Sequence, residues 1–143
     1  MNVATVLKSK GRAVTTVRPS QTLSDVAERL ASKKIGAIVV VGDAGRVVGI
    51  ISERDVVRAV AERGAAALQV AVDEVMTRSV VTCNEATTLD ELMEIMTTGR
   101  FRHVPVVTDG ALVGIVSIGD VVKHHIADMA LEVTAMKSYL ATG

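Results

Sequence analysis

An internal duplication constrains this chain more than any other feature. Residues 22–41, TLSDVAERLASKKIGAIVVV, align with residues 88–107, TLDELMEIMTTGRFRHVPVV, at a constant offset of 66, so that Leu23 meets Leu89 and Val41 meets Val107. Past Val41 the first copy turns through GDAGR and the second through the shorter TDGA. Thereafter Gly49, Ser52 and Asp55 meet Gly114, Ser117 and Asp120 at an offset of 65. A residue lost in a turn disturbs a fold least. Two long copies indicate a duplicated supersecondary unit, whereas a solenoid stacks several short ones.

Each copy reads alike. The short apolar runs AVTTV and SVVTC lead into segments where Leu23, Val26, Ala27 and Leu30, or Leu89, Leu92, Met93 and Met96, recur at three- and four-residue steps. That period gives a helix with one apolar face. Thr22 with Asp25, and Thr88 with Glu91, have the spacing of a capping box at the helix start. Two β-rich runs follow, AIVVV then VVGII and VPVV then LVGIV, each pair joined by an Asp/Gly turn as in a hairpin. A second helix is expected from about Asp55 to Glu62, and from about Asp120 onward. The unit is therefore strand, helix, strand, strand, helix, an α/β (α+β) class. Roughly sixty residues with two helices leave a sheet face uncovered, so the copies are expected to pack on each other. We place a lead-in segment at 1–13, the units at 14–71 and 72–128, and a C-terminal helical extension at 129–143.

Composition narrows function by exclusion. Sixteen basic and sixteen acidic residues cancel and no Lys/Arg block occurs, which argues against nucleic acid or a membrane surface as partner. Aromatic content is 1%, so the core is left to Val, Ile, Leu, Met and Ala, and base stacking on rings is no general device here. Cys83 is the lone cysteine; it aligns with Val17 and reads as a small core residue. The N-terminal MNVATVLKSKG lacks the apolar core of a signal peptide and no apolar run is long enough to span a bilayer, which points to a soluble, cytoplasmic protein. His124 and His125 point to different faces of a helix without metal-ligand spacing nearby. Neither serine has His and acid partners for activation, and no Gly-rich phosphate loop with Lys is present, so no catalytic role is expected.

The stretches IGAIVVVGDAGRVVGIISERD and FRHVPVVTDGALVGIVSIGD, with the helices before them, resemble a pair of cystathionine β-synthase (CBS) domains, a Bateman module, over about Val14 to His124. The resemblance implies two units packed sheet to sheet about a pseudo-twofold axis, with two clefts that receive adenine nucleotides. AMP is the foremost ligand so implied, with ATP, ADP, NAD and S-adenosylmethionine as alternatives, and the role is that of an energy-sensing regulatory module in signal transduction. One cleft would use Ser117 and Asp120 for ribose, Thr16 and the Ala37 backbone near the base, and Arg102 or His103 near phosphate. The other would use Ser52 and Asp55, Thr82, the backbone around His103 and Val104, and Arg54 or Lys34 near phosphate. The family also commonly forms homodimers, and no attached effector domain is evident.

Alternatives stand beside these roles. Ser-x-x-Asp before a helix serves equally as a cap stabilising by about 1 kcal/mol, or as a helix start whose amides suit phosphate while the carboxylate accepts ribose hydroxyls. Gly49 and Gly114 admit either a ligand or a packed neighbour. Arg54 and Arg102 read as solvated charges or as phosphate ligands. At the C-terminus Val122, Ile126, Met129, Val133, Met136 and Leu140 step by four and three, a seam that packs either on its own module or across a homodimer. A nucleotide-independent dimeric adaptor for a protein target is the competing function.

Overall fold

The computed structural model describes residues 1–142; Gly143, the end of the C-terminal extension, lies outside them. Helix α1 (Val3–Lys10) precedes β1 (Thr16–Val17), α2 (Leu23–Lys33), β2 (Ala37–Val41), β3 (Val47–Ser52) and α3 (Glu53–Arg63). Short 3-10 turns then lead to α4 (Leu89–Gly99), β4 (His103–Thr108), β5 (Ala111–Ser117) and α5 (Ile118–Thr142). This is the duplicated mixed α/β unit anticipated from the repeat. The first sheet runs β1-β2-β3, with β1 parallel to β2 and β2 antiparallel to β3, and the second contains β4 and β5. Among the described residues no helix is long and apolar enough to cross a membrane.

The lead strand of the second copy shrinks to one parallel bridge, Cys83 with Val106. Proline explains it. In the first copy the Val39 N–H donates to the Thr15 carbonyl at 3.4 Å. Its counterpart Pro105 has no N–H, so the equivalent bond cannot form. Only the Cys83 amide to the Pro105 carbonyl, at 3.0 Å, and the Val107 amide to the Cys83 carbonyl, at 2.9 Å, remain.

Helix starts behave as their spacing indicates, with one difference. Thr22 and Asp25 form a full reciprocal capping box. Thr88 accepts from the Glu91 amide, but the Glu91 carboxylate accepts from the Thr88 hydroxyl and not from its amide. Thr88 is also bridged to Asn2, as Thr22 is to Ala71.

That bridge reveals how the copies interlock. The Val3 amide donates to the Thr87 carbonyl at 2.9 Å and the Leu89 amide to the Met1 carbonyl at 3.2 Å. In the other half the Val72 amide donates to Gln21 at 2.7 Å and the Leu23 amide to Val70 at 3.0 Å. VATVL at Val3 thus has its counterpart in VDEVM at Val72. Each leading segment docks on the other copy. Val3, Val6 and Leu7 are buried with Leu89, Leu92, Met96, Val104 and Val116, whereas Val72 and Met76 are buried with Val17, Leu23, Val26, Ile38 and Ile51. Burying each such side chain contributes about 1.5–3 kcal/mol.

The sheets are covered on both faces. Ile38 and Val40 enter the first copy's cluster, and Val39, which points the other way along the strand, is equally inaccessible. Val104, Pro105 and Val106 repeat the pattern in β4. The face opposite the helices is closed as well, and the approach of Gly36, just before β2, to the His103 ring brings the ends of β3 and β4 into one neighbourhood.

Candidate functional site

Strand β3 ends at Ser52 and α3 begins at once, a join closed by a reciprocal box. The Ser52 amide donates to Asp55 Oδ2 at 2.8 Å, the Ser52 hydroxyl donates to the same oxygen at 3.1 Å, and the Asp55 amide donates back to Ser52 Oγ at 3.3 Å. Ser117 and Asp120 repeat this with 2.8, 3.0 and 3.2 Å. Capping is thus realised in both copies. The helix starts are also tied across their own sheets, since the Glu53 amide donates to the Gly36 carbonyl and the Ile118 amide to the Arg102 carbonyl.

What separates the copies is the surroundings of the carboxylate. Asp55 opens on a cleft of about 300 Å³, with Ser52, Glu53, Arg54 and Arg58 from α3 and its cap on one side. Arg100, Phe101, Arg102 and His103 form the opposite side, and Gly36, Ala37, Thr77 and Ser79 complete the walls. Four guanidinium groups face two carboxylates here, so the cleft carries a positive excess. Asp55 Oδ1 lies 3.5 Å from Arg58 Nη1, leaving its geometry open to further donors. Volume and mixed lining suit a nucleoside-sized ligand.

Asp120 is occupied by the chain itself. Lys10 Nζ, at the C-terminal end of α1, donates to Asp120 Oδ2 at 2.6 Å and to the Ile115 carbonyl at 2.9 Å. Burial pushes the Asp120 carboxyl upward, but the hydrogen bonds from Lys10 and Ser117 outweigh it and hold the group below the usual aspartate value. In the first copy the position of Ile115 is held by Ile50, whose carbonyl accepts from the Thr77 backbone amide, so no cation reaches Asp55 from that side.

A pH experiment follows from this pair. A depressed carboxylate stabilises the fold above its unfolded value, and the contribution disappears as pH falls through the folded value. Lys10→Met is expected to lower the melting temperature at neutral pH, with the gap to wild type closing in acid. A gap independent of pH would mean that Lys10 acts through packing alone.

His103 sits at the seam between the copies. A Cβ at Gly36 would lie 3.2 Å from its ring, so glycine there is what admits the imidazole. Burial foremost, then the Lys10 charge, lower its pKa, against the opposing pull of Glu53 and Asp120.

The remaining expected residues are distributed as follows. Ser52, Arg54, Asp55, Ala37, Arg102 and His103 share the cleft, while Ser117 and Asp120 stand outside its lining with Lys10. The Thr16 carbonyl accepts from Arg29 Nη1 at 2.7 Å. Thr82 lines a separate, shallower groove with Asn84 and Glu91. Val104 is fully buried in the second core, and Lys34 is the exposed, left-handed cap of α2. Cys83 is buried, its thiol pushed up to about 11, as a core residue would be. Gly49 and Gly114 serve packing: a Cβ would lie 2.4 Å from Met76 Sδ or 2.7 Å from Leu7 Cδ2. Sequence reasoning did not pick out Arg58, Arg100, Ser79 or Phe101. The last is the chain's one phenylalanine, a signal that was available.

Known proteins share this architecture. A model of the CBS domain family matches residues 11–62 and again 72–126. The CBS domain-containing protein CBSX3, mitochondrial, of Arabidopsis thaliana is 31% identical over 99% of this chain and 72% of its own length. Among solved structures, the CBS-domain containing protein ATU1752 from Agrobacterium tumefaciens is 54% identical, covers 85% of this chain and 91% of that one, and superimposes with a TM-score of 0.82. The CBS domain pair of MJ0100, solved in complex with 5′-methylthioadenosine and S-adenosyl-L-methionine, is 26% identical over 90% of this chain and 98% of that one, with a TM-score of 0.80. Matched twice along its length and folded like those solved structures, this chain belongs to the CBS domain family as a tandem pair.

Proposed function

We propose that the chain is a ligand-sensing regulatory module that binds an adenine nucleotide in the cleft between its two CBS units. The carrying observation is that Ser52 and Asp55, at a helix start, line one nucleoside-sized cleft together with four arginines drawn from both copies, Arg54 and Arg58 beside them and Arg100 and Arg102 opposite. Asp55 accepts hydrogen bonds from ribose hydroxyls, the guanidiniums of Arg54, Arg58, Arg100 and Arg102 take phosphate, and Ala37 and His103 border the base. MJ0100 supports an adenosine-type ligand by the compounds bound to it. The positive excess here favours an anionic one, AMP first with ADP, ATP and NAD beside it, over the sulfonium of S-adenosylmethionine.

A ligand touching both copies alters their contact by its differential affinity for the two arrangements, and that change is the signal. No reaction is assigned to the chain, since the Ser52 hydroxyl is committed to Asp55, to which it donates. The setting is the cytoplasm and the working form a homodimer acting on a protein target. Thermal shift with AMP, ADP, ATP, NAD and S-adenosylmethionine tests the reading. At 100 times its dissociation constant a true ligand adds about 2.7 kcal/mol of stability. Silence from all five would favour the adaptor, the reading to which the exposed apolar side of α5 lends support.

A further inference from the structure

Helix α5 is too long for the module that starts it. Its 25 residues extend roughly 37 Å at 1.5 Å per residue. Val121 is buried near its start, but every residue from Met129 to Thr142 is exposed, so the seam does not pack on its own module. Val122, Ile126, Met129, Val133, Met136 and Leu140 are between 50 and 72% exposed and form one stripe with the 3.5-residue period of a supercoiled partner. An apolar stripe of this length on a water-soaked helix marks an interface. The occupant is read from the charges beside it.

We infer that α5 pairs with α5 of a second copy as a parallel, in-register two-stranded coiled coil. With Ile126, Val133 and Leu140 at the a positions and Val122, Met129 and Met136 at d, Glu132 falls at g and Lys137 at the following e. In a parallel pair g faces the next e of the other strand, so Glu132 of each copy meets Lys137 of the other, twice by symmetry. The antiparallel register that matches the whole seam, Val122 against Leu140 and Met129 against Val133, sets Glu132 against its own copy and Lys123 against Lys137. Like charges there oppose it. β-branched Ile126 and Val133 at a also favour two strands. The seam is just under three heptads, short for a free coil, but the module anchors the first turn through Val121 and so supplies the helix nucleus.

Cysteine placement in the full chain decides the geometry. Met136→Cys is expected to form an intermolecular disulfide readily under mild oxidation, with buried Cys83 too protected to compete. In the antiparallel register the two residues would be about 15 Å apart along the axis, and cross-linking would instead need Ile126→Cys together with Met136→Cys. Sedimentation should show a wild-type dimer that Val133→Glu weakens roughly 100-fold by placing like charges in the seam, with the circular dichroism of the module retained. Glu132→Lys should weaken the dimer several-fold and Glu132→Lys with Lys137→Glu should restore it. A monomeric wild type, a dimer indifferent to Val133→Glu, or cross-linking only by the double cysteine variant would each overturn the proposal. None of these readouts requires nucleotide, so failure of the ligand reading leaves the test intact.

Discussion

Leu7→Ala is expected to destabilise the protein by about 2–5 kcal/mol, the range for emptying a packed leucine site, and to do so in the C-terminal half although residue 7 precedes the first copy. Leu7 is 1% exposed and belongs to the cluster of Leu92, Val104 and Val116. Hydrogen exchange should therefore accelerate in β4, β5 and α4 before it does so around Val17 and Ile38. Equal acceleration in both halves would mean that the two clusters unfold as one. The cavity has a specific filler. A Cβ on Gly114 would lie 2.7 Å from Leu7 Cδ2, so Gly114→Ala alone crowds the site, whereas in the Leu7→Ala background the added methyl enters the vacated space. The double variant should be more stable than the sum of the single losses predicts, by about 1 kcal/mol. Additive losses would show that Leu7 and Gly114 do not share a cavity.

The duplicated unit was legible because its marks are local: apolar positions at helical steps, Thr22 with Asp25, and Asp/Gly turns between β-rich runs. Each is settled within a few residues. The exchange of leading segments was not, since VATVL and VDEVM match at an offset three residues longer than the rest, and neither displays its partner strand. The same limit applies to the cleft. Ser52 and Asp55 announce themselves by spacing, but Arg58 and Arg100 matter through a juxtaposition of α3 with the α4–β4 turn that no window of sequence contains. Lys10 is the sharpest case. Its place beside Asp120 spans more than a hundred residues, and it makes two sequence-equivalent acids electrostatically different. Pro105 lacks an amide donor whatever its context, and the shortened lead strand of the second copy is its direct consequence.

That difference between the acids supplies the decisive comparison for the proposed ligand site. Asp55→Asn is expected to weaken nucleotide binding roughly 10- to 150-fold, the equivalent of about 1.5–3 kcal/mol for a charged hydrogen bond. The amide keeps one oxygen for the cap and loses the charge that ribose hydroxyls would meet. Asp120→Asn should leave affinity within a few-fold of wild type, because its carboxylate already accepts from Lys10 and both Ser117 donors. Both variants lose part of a cap, so both should melt earlier, by an amount consistent with the 0.5–2 kcal/mol of a lost N-cap. Calorimetric titration with AMP and ATP separates the two quantities that melting alone confounds. Lower melting in both variants with unchanged affinity in each would reduce the acids to helix caps and remove the nucleotide reading. Equal affinity losses would place a second ligand at Asp120, which could bind there only by displacing Lys10, and Lys10→Met should then tighten that site alone.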